Sequence, residues 1–288
     1  MLPGMATKLR LAIVGAGRLG SALAVQLHRA GYKIDAVLGR RGSLKRARAL
    51  AKQVRSQVQW HCADVDAKVI WICVPDSEIS GAANALASNF DWRGKVTLHS
   101  SGALTSDALN ALRNRGASVA SVHPLMTFVA RSRPSLHEVP FAIEGDAAAV
   151  RVARRIVKDL GGDAYTIRKH DKVAYHAWGT FASPLLTALL ATTERVAGLA
   201  GVKREAARRR MMPILVQTLV NYASFGAANG FSGPIVRGDV ETVKKHLQVL
   251  RQEPLTQKAY ASLGLAALQY LPAKNKDALR KLLDSAID

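Results

Sequence analysis

Three groups of residues in this chain have the types and spacing to do chemistry. The first is Gly15-Ala16-Gly17-Arg18-Leu19-Gly20, which follows an apolar stretch from Leu9 to Val14 and opens an amphipathic stretch reaching Ala30. A lone run of this kind occurs by chance, but here it stands between a strand and a helix of a β-α-β unit, where each glycine has a use. Gly15 permits a tight turn, Gly17 lets backbone approach a pyrophosphate, and Gly20 allows close packing of helix on strand. The first turn, with Arg18 and Leu19, offers unpaired N–H groups and a partial positive charge to phosphate. The second group, Gly39-Arg40-Arg41-Gly42-Ser43, ends the next strand, Ile34–Leu38. A carboxylate there would accept from the 2′-hydroxyl of NAD. This chain has two guanidinium groups and a hydroxyl instead, which suit a 2′-phosphate and imply NADP(H), unless the arginines are merely solvated. Cys73-Val74-Pro75-Asp76, at the end of a later strand, is expected to line the same crevice.

The third group is a polar stripe. Lys172, His176, Thr180, Ser183, Thr187 and Glu194 fall within roughly 80° of arc at 3.6 residues per turn, on a helix otherwise rich in Ala, Leu, Val and Phe. Such a stripe must face water, a partner or a cleft, because buried polar groups without partners are costly. Two more sets sit at strand ends: His99-Ser100-Ser101-Gly102 and His123-Pro124. In the late loop, Asp239 reads as a helix N-cap. Arg237 could pair with a substrate carboxylate or with Asp239.

The elements that must position these groups alternate first and then turn helical. Apolar strands are expected at Leu9–Val14, Ile34–Leu38, Val69–Val74, Val96–His99, Val119–Val122, Phe141–Glu144 and Ala164–Ile167. Helices are expected at Leu44–Arg55, Ile79–Ala87, Ser106–Arg113 and Ala147–Leu160. That order predicts an α/β Rossmann domain, a mostly parallel sheet with helices on both faces, over residues 1–168. From residue 169 to 288 the period is 3.6 throughout, predicting an all-helical domain with helices at Lys172–Ala200, Glu205–Gly226, Val240–Leu250, Leu255–Tyr270 and Lys274–Ile287.

Composition sets the outer bounds. The 288 residues carry 41 Lys and Arg against 21 Asp and Glu, a formal charge of +20, which fits a small anionic metabolite as ligand. The basic residues are spread along the chain, no nucleic-acid motif is present, and aromatic residues make up only 6%, so nucleic acid is not the expected partner. No apolar run reaches the ~18 residues of a membrane span, and Met1 to Arg10 lacks a signal core. Cys62 and Cys73 have no metal-type spacing and read as reduced thiols; metal ligation is not expected, and the cytoplasm is the expected compartment.

The motifs GAGRLG, CVPD, HSSGAL, VHPLMTF, DKVAYHAWGTFASP and SGPIVRGDVETV together resemble the family that pairs a Rossmann-like domain with domain of unknown function 2520. That family is similar to pyrroline-5-carboxylate reductases, ketopantoate reductases and 6-phosphogluconate-type dehydrogenases. The resemblance implies a C-terminal domain of the 6-phosphogluconate dehydrogenase type, a homodimer joined through it, and an active site between the domains. In ketopantoate reductases and β-hydroxyacid dehydrogenases a Lys on the matching helix acts as acid/base, with Asn four residues on. Lys172 matches that Lys, while His176 replaces the Asn and can itself move a proton. Ser183-Pro184 stands where the closer family tends to show Ser-Asn, a departure at Pro184, and Ser183 is the expected substrate anchor. Prephenate dehydrogenases carry a Ser and a His-Pro at equivalent strand ends, which implies that Ser101 and His123 touch substrate or nicotinamide.

These readings converge on an NADP(H)-dependent oxidoreductase for a carboxylate-bearing carbonyl, imine or hydroxy compound. A deazaflavin as second hydride partner is one variant. The rival is a non-catalytic dinucleotide sensor or scaffold on the same fold. A basic nucleic-acid binder is the third reading.

Overall fold

The computed structural model describes residues 8–60, 66–88, 91–130, 132 and 134–287, with the side chain of Arg41 also outside the description. Cys62 therefore lies outside the described residues. The chain divides into two compact units, Met1–Ser183 and Pro184–Asp288. The sequence places a domain boundary near 168; the compact units meet fifteen residues later, so the helix bearing Lys172 and His176 belongs with the sheet.

The first unit is an eight-stranded sheet. Its strands are β1 (Leu11–Val14), β2 (Ile34–Leu38), β3 (Gln57–Gln59), β4 (Val69–Ile72), β5 (Val96–His99), β6 (Ser118–Pro124), β7 (Pro140–Gly145) and β8 (Asp163–Thr166). They lie in the order β3-β2-β1-β4-β5-β6-β7-β8. The chain winds outward one way from β1 and the other way from β4, so these neighbours form the switch point where such sheets open a crevice at their carboxyl ends. All pairs are parallel except β6 with β7. Among the described residues the link between those two strands contains no helix, and without a crossover element the chain returns antiparallel.

Each central strand splits its side chains between two cores, as a period of two requires. Leu11, Ile13, Val69 and Trp71 pack with α1 (Arg18–Arg29), α2 (Leu44–Gln53) and α5 (Ala147–Asp159). Ala12, Val14, Ile70 and Ile72 pack with α3 (Asp76–Ala87) and α4 (Asn110–Arg113). The unit closes with α6 (Lys172–Thr180), whose buried residues are Lys172 and Tyr175, three apart on one face. The long helix expected over Lys172–Ala200 is interrupted: Phe181–Leu185 is a π-helical turn containing Pro184, which supplies no N–H to the ladder.

The second unit comprises α7 (Leu186–Leu199), α8 (Arg204–Gly230, broken at Gly226), α9 (Pro234–Arg237), α10 (Val240–Leu250), α11 (Pro254–Tyr270) and α12 (Lys276–Asp284). The loop expected before Arg237 contains the short α9, started by Pro234 at its first turn and stopped by left-handed Gly238. Glu194 of α7 is buried under Arg204 and Arg208 of α8 at 2.9 and 2.8 Å, and these bonds hold its carboxyl down at about 2. Among the described residues no single helix is long and apolar enough to cross a membrane.

Candidate functional site

The glycine turn lies at the switch point and its geometry admits little else. Gly15 has φ +100°, and a methyl group on it would sit 2.8 Å from the Cys73 carbonyl oxygen. A methyl on Gly20 would overlap the Gly15 carbonyl oxygen. Gly17 differs: its nearest protein atom to an added methyl is at 3.8 Å, so the protein itself leaves that space open. Gly17 is also the N-cap of α1, with no side-chain cap and no acidic residue in the first turn, so the helix presents bare N–H groups.

A cleft of about 710 Å³ begins at this turn. Gly15, Gly17, Arg40, Ser43, Cys73, Val74 and Pro75 line it, as the sequence expects. Arg18, Leu19 and Gly20 do not line it; they form the helix start behind it. The Cys73 thiol is pushed up to about 12 by burial, with a hydrogen bond involving Ser100 working the other way, so it stays protonated and is no nucleophile at neutral pH. Two further residues on the wall carry charge: Arg46 of α2 and Glu78 of α3. Glu78 accepts from Arg40 Nη2 at 2.7 Å.

Beside the cleft, α6 closes over the ends of β5 and β6. Lys172 has no exposed surface; its Nζ donates to the Ser121 hydroxyl at 2.7 Å and the Ser101 carbonyl at 3.1 Å. Burial lowers its pKa to about 8, against the pull of the Glu144 and Asp76 carboxylates. Ser101 is equally committed. Its hydroxyl donates to Asp76 at 2.7 Å and accepts from the N–H groups of Ala103 and Leu104. Its own N–H donates to Nδ1 of His99. That bond fixes the His99 tautomer with the proton on Nε2, which donates to the Thr105 carbonyl at 3.0 Å. Glu144, also buried, accepts from the backbone and hydroxyl of Ser106.

His123 and His176 meet across Gly102. Their ring centroids are 6.2 Å apart, and a methyl on Gly102 would lie 2.9 Å from Nε2 of His123 and 2.5 Å from Cδ2 of His176. Nδ1 of His123 pairs with the Tyr175 hydroxyl at 2.8 Å, directing Nε2 toward Gly102. Burial first, then the charge of Lys172, lowers the His123 pKa to about 4, so this imidazole is neutral at pH 7. His176 is exposed. Thus Lys172, His176, Ser101 and His123 are brought together, and only the two imidazoles face outward. Asp76 joins this cluster to the cleft, since it directly follows the wall residue Pro75.

The polar stripe divides instead of forming one surface: Lys172 and His176 belong to this cluster, and Glu194 to the ion pair with α8. Ser183 sits in the π-helical turn. Arg237 is exposed at the end of α9, with no carboxylate in ion-pair reach among the described residues, while Asp239 caps α10 by accepting from Thr242. Sequence reading missed Ser121, Glu144 and Tyr175, and it put Asp76 on the crevice wall where the structure puts it against Ser101. Only Tyr175 left a signal, its three-residue spacing from Lys172. Among the described residues no group of His, Cys, Asp or Glu is placed to hold a metal ion.

The fold and the cleft define a Rossmann-like dinucleotide-type domain. In agreement, residues 4–124 match the family model of a Rossmann-like domain and residues 139–267 that of domain of unknown function DUF2520. The chain therefore pairs those two domains. No protein of curated function matches it in sequence. Among solved structures it is similar to a candidate NADP oxidoreductase from Bacteroides fragilis, 20% identical with TM-score 0.75, covering 90% of this chain and 97% of the other. It is similar to an imine reductase from Pseudomonas sp., 21% identical, TM-score 0.64, covering 96% and 100%. It is also similar to a 1-pyrroline-5-carboxylate reductase from Streptococcus pyogenes, 13% identical, TM-score 0.61, covering 97% and 98%. At these identities the likeness is one of fold.

Proposed function

We propose that the chain is an NADP(H)-dependent oxidoreductase acting on a small carboxylate-bearing carbonyl, imine or hydroxy compound. One observation carries the reading: the Cys73–Pro75 segment walls the dinucleotide-sized cleft, and the next residue, Asp76, holds the Ser101–Gly102 loop against which the paired imidazoles lie. The glycine cradle, the open space at Gly17 and the bare start of α1 fit a pyrophosphate, and Arg40, Ser43 and Arg46 fit a 2′-phosphate. The bound cofactor supplies or accepts a hydride; the protein supplies position, charge and a proton. The reductases named among the structural neighbours support a C=N or C=O bond as the target.

In this reading His176 carries the proton, because it is the exposed acid/base of the cluster. Lys172 and Ser101 act through others: they fasten the loop, and the charge of Lys172 adds to burial in keeping His123 neutral. His123, tied to Tyr175, orients the substrate. Ser183 is assigned to anchoring its anionic group.

A homodimer through the helical unit belongs to the same proposal. In α8, Met212, Ile214, Val216, Leu219, Tyr222 and Phe225 are each 47% to 68% exposed, at positions that run all round the helix. An apolar helix in that condition calls for a partner.

Titration with NADPH and NADH, followed by turnover on keto acids and cyclic imines, tests the reading. NADPH should bind at least about tenfold tighter. His176→Ala should bind NADPH normally and lose about 10²–10⁴ in rate. Equal affinity for the two cofactors overturns the NADP assignment. Tight NADPH binding without turnover on any such compound favours the sensor.

A further inference from the structure

The adenosine end of the cleft holds one more charged residue than a phosphate pocket needs, and it has the wrong sign. Glu78 stands in the first turn of α3, two residues past Asp76, and is only partly exposed, with 32% of its side chain open to solvent. Its carboxylate takes Arg40 Nη2 at 2.7 Å, although Arg40 is one of the two arginines, with Arg41, that the sequence assigns to the 2′-phosphate. Arg46, on the same cleft wall, has no hydrogen-bond or ion-pair partner among the described residues. Along α3 the residues behind Glu78 that line the cleft are Gly81, Ala82 and Ala85, which bring no further charge.

We propose that Glu78 sets the strength of NADP(H) discrimination by competing with the 2′-phosphate for Arg40, and that Arg46, unpaired among the described residues, is a cation the phosphate meets first. The inference rests on the NADP(H) reading above. A phosphate arriving at Arg40 must displace a carboxylate that already occupies the guanidinium and must then sit close to that negative charge. An exposed Arg–Glu pair is worth little, so the exchange is feasible, but its cost falls on the phosphorylated cofactor alone. NADH brings a neutral hydroxyl to the same place, and Glu78 is there to accept from it. The residue therefore narrows the gap between the two cofactors from both sides, whereas Arg46 widens it.

Calorimetric titration of the full chain with adenosine 2′,5′-bisphosphate, 5′-AMP, NADPH and NADH reads this out without any substrate. Glu78→Gln should tighten the 2′-phosphorylated pair by about three- to tenfold and leave AMP and NADH unchanged or weaker. Arg46→Ala should weaken the phosphorylated pair about tenfold and spare the others. If the wild type prefers NADPH and Glu78→Gln fails to tighten it, the competition is overturned while the NADP(H) reading stands. If Arg46→Ala leaves that preference intact, Arg46 is not the first contact. If the wild type shows no preference between NADPH and NADH, the cofactor reading falls and this inference with it.

Discussion

The two compact units treat their apolar residues in opposite ways. In the sheet unit successive strand residues go to two cores and both are sealed: Leu11, Ile13, Ile70 and Ile72 are all fully buried. In the helical unit the buried cluster is Val243, Leu247, Ala261, Leu268, Leu279 and Leu283, all from α10 to α12. The longest helix, α8, buries only Ala207. The sheet unit thus satisfies its hydrophobic requirement within one chain. The helical unit does not, so its stability is tied to whatever covers α8, and for an obligate dimer that makes stability depend on concentration. The same contrast holds for polar groups. The sheet unit buries a lysine, a histidine and a glutamate, each hydrogen-bonded, while the helical unit's buried carboxylate is met by arginines that remain largely in solvent.

The sharpest way to break this contrast is to place charge on α8. Leu219→Glu combined with Phe225→Glu should weaken self-association by about 100-fold or more, because both side chains would be buried unpaired in an interface. Light scattering should then give the monomer mass where the wild type gives twice that. A wild type already monomeric at micromolar concentration would refute the dimer and leave the exposed helix without its explanation.

Acid should act on the other unit. His99 and His123 are each held down to about 4, mainly by burial, whereas unfolded histidines titrate near 6.5. Between these values the unfolded chain binds more protons, so stability falls as pH drops through that window. For the fully buried His99 the whole window corresponds to about 3 kcal/mol. Urea midpoints at pH 7 and pH 5 should differ clearly in the wild type and less in His99→Gln. Identical pH dependence in both would mean that His99 is not kept neutral in the folded state.

The smallest expected effect sharpens the distinction between the two imidazoles. Gly102→Ala forces a methyl against both rings. His176 is exposed and can swing away, whereas His123 is tied to Tyr175. Turnover should fall about tenfold with NADPH affinity unchanged, since the glycine cradle is untouched. A loss of cofactor affinity of the same size would show that Gly102 serves the cleft instead.

The cofactor turn was legible in the sequence because its demands are local: a strand, three glycines and a helix start within a dozen residues. The same holds for the Asp239 cap. Strand β3 was not legible, since Gln57-Val58-Gln59 carries no apolar run and sits at the sheet edge. The break in the helix after Thr180 was only half legible; Pro184 announces it, but the π-turn begins before the proline. The polar network could be read only in part: Lys172, Ser101 and the two imidazoles stood out by type, while their partners did not. Asp76, Ser101, Ser121, Glu144 and Lys172 share no spacing, and only the winding of the sheet brings their strand ends and helix starts together. Residue types did raise Lys172, but its burial, and hence its support role, depends on how α6 lies over β5 and β6. Glu78 carried no signal, because nothing in the sequence around it says that it faces Arg40.

The burial of Lys172 has a chemical consequence. An amine whose basicity is lowered spends more time unprotonated near neutral pH, and such lysines are the ones that condense with aldehydes and ketones. By that measure Lys172 would be the amine most apt to capture a carbonyl compound. Yet its nitrogen has no exposed surface and lies behind the Ser101–Gly102 loop, bonded to Ser101 and Ser121. On the proposed reading, a carbonyl group at the paired imidazoles would thereby be kept from forming a Schiff base with Lys172, because the fold holds that amine out of its reach.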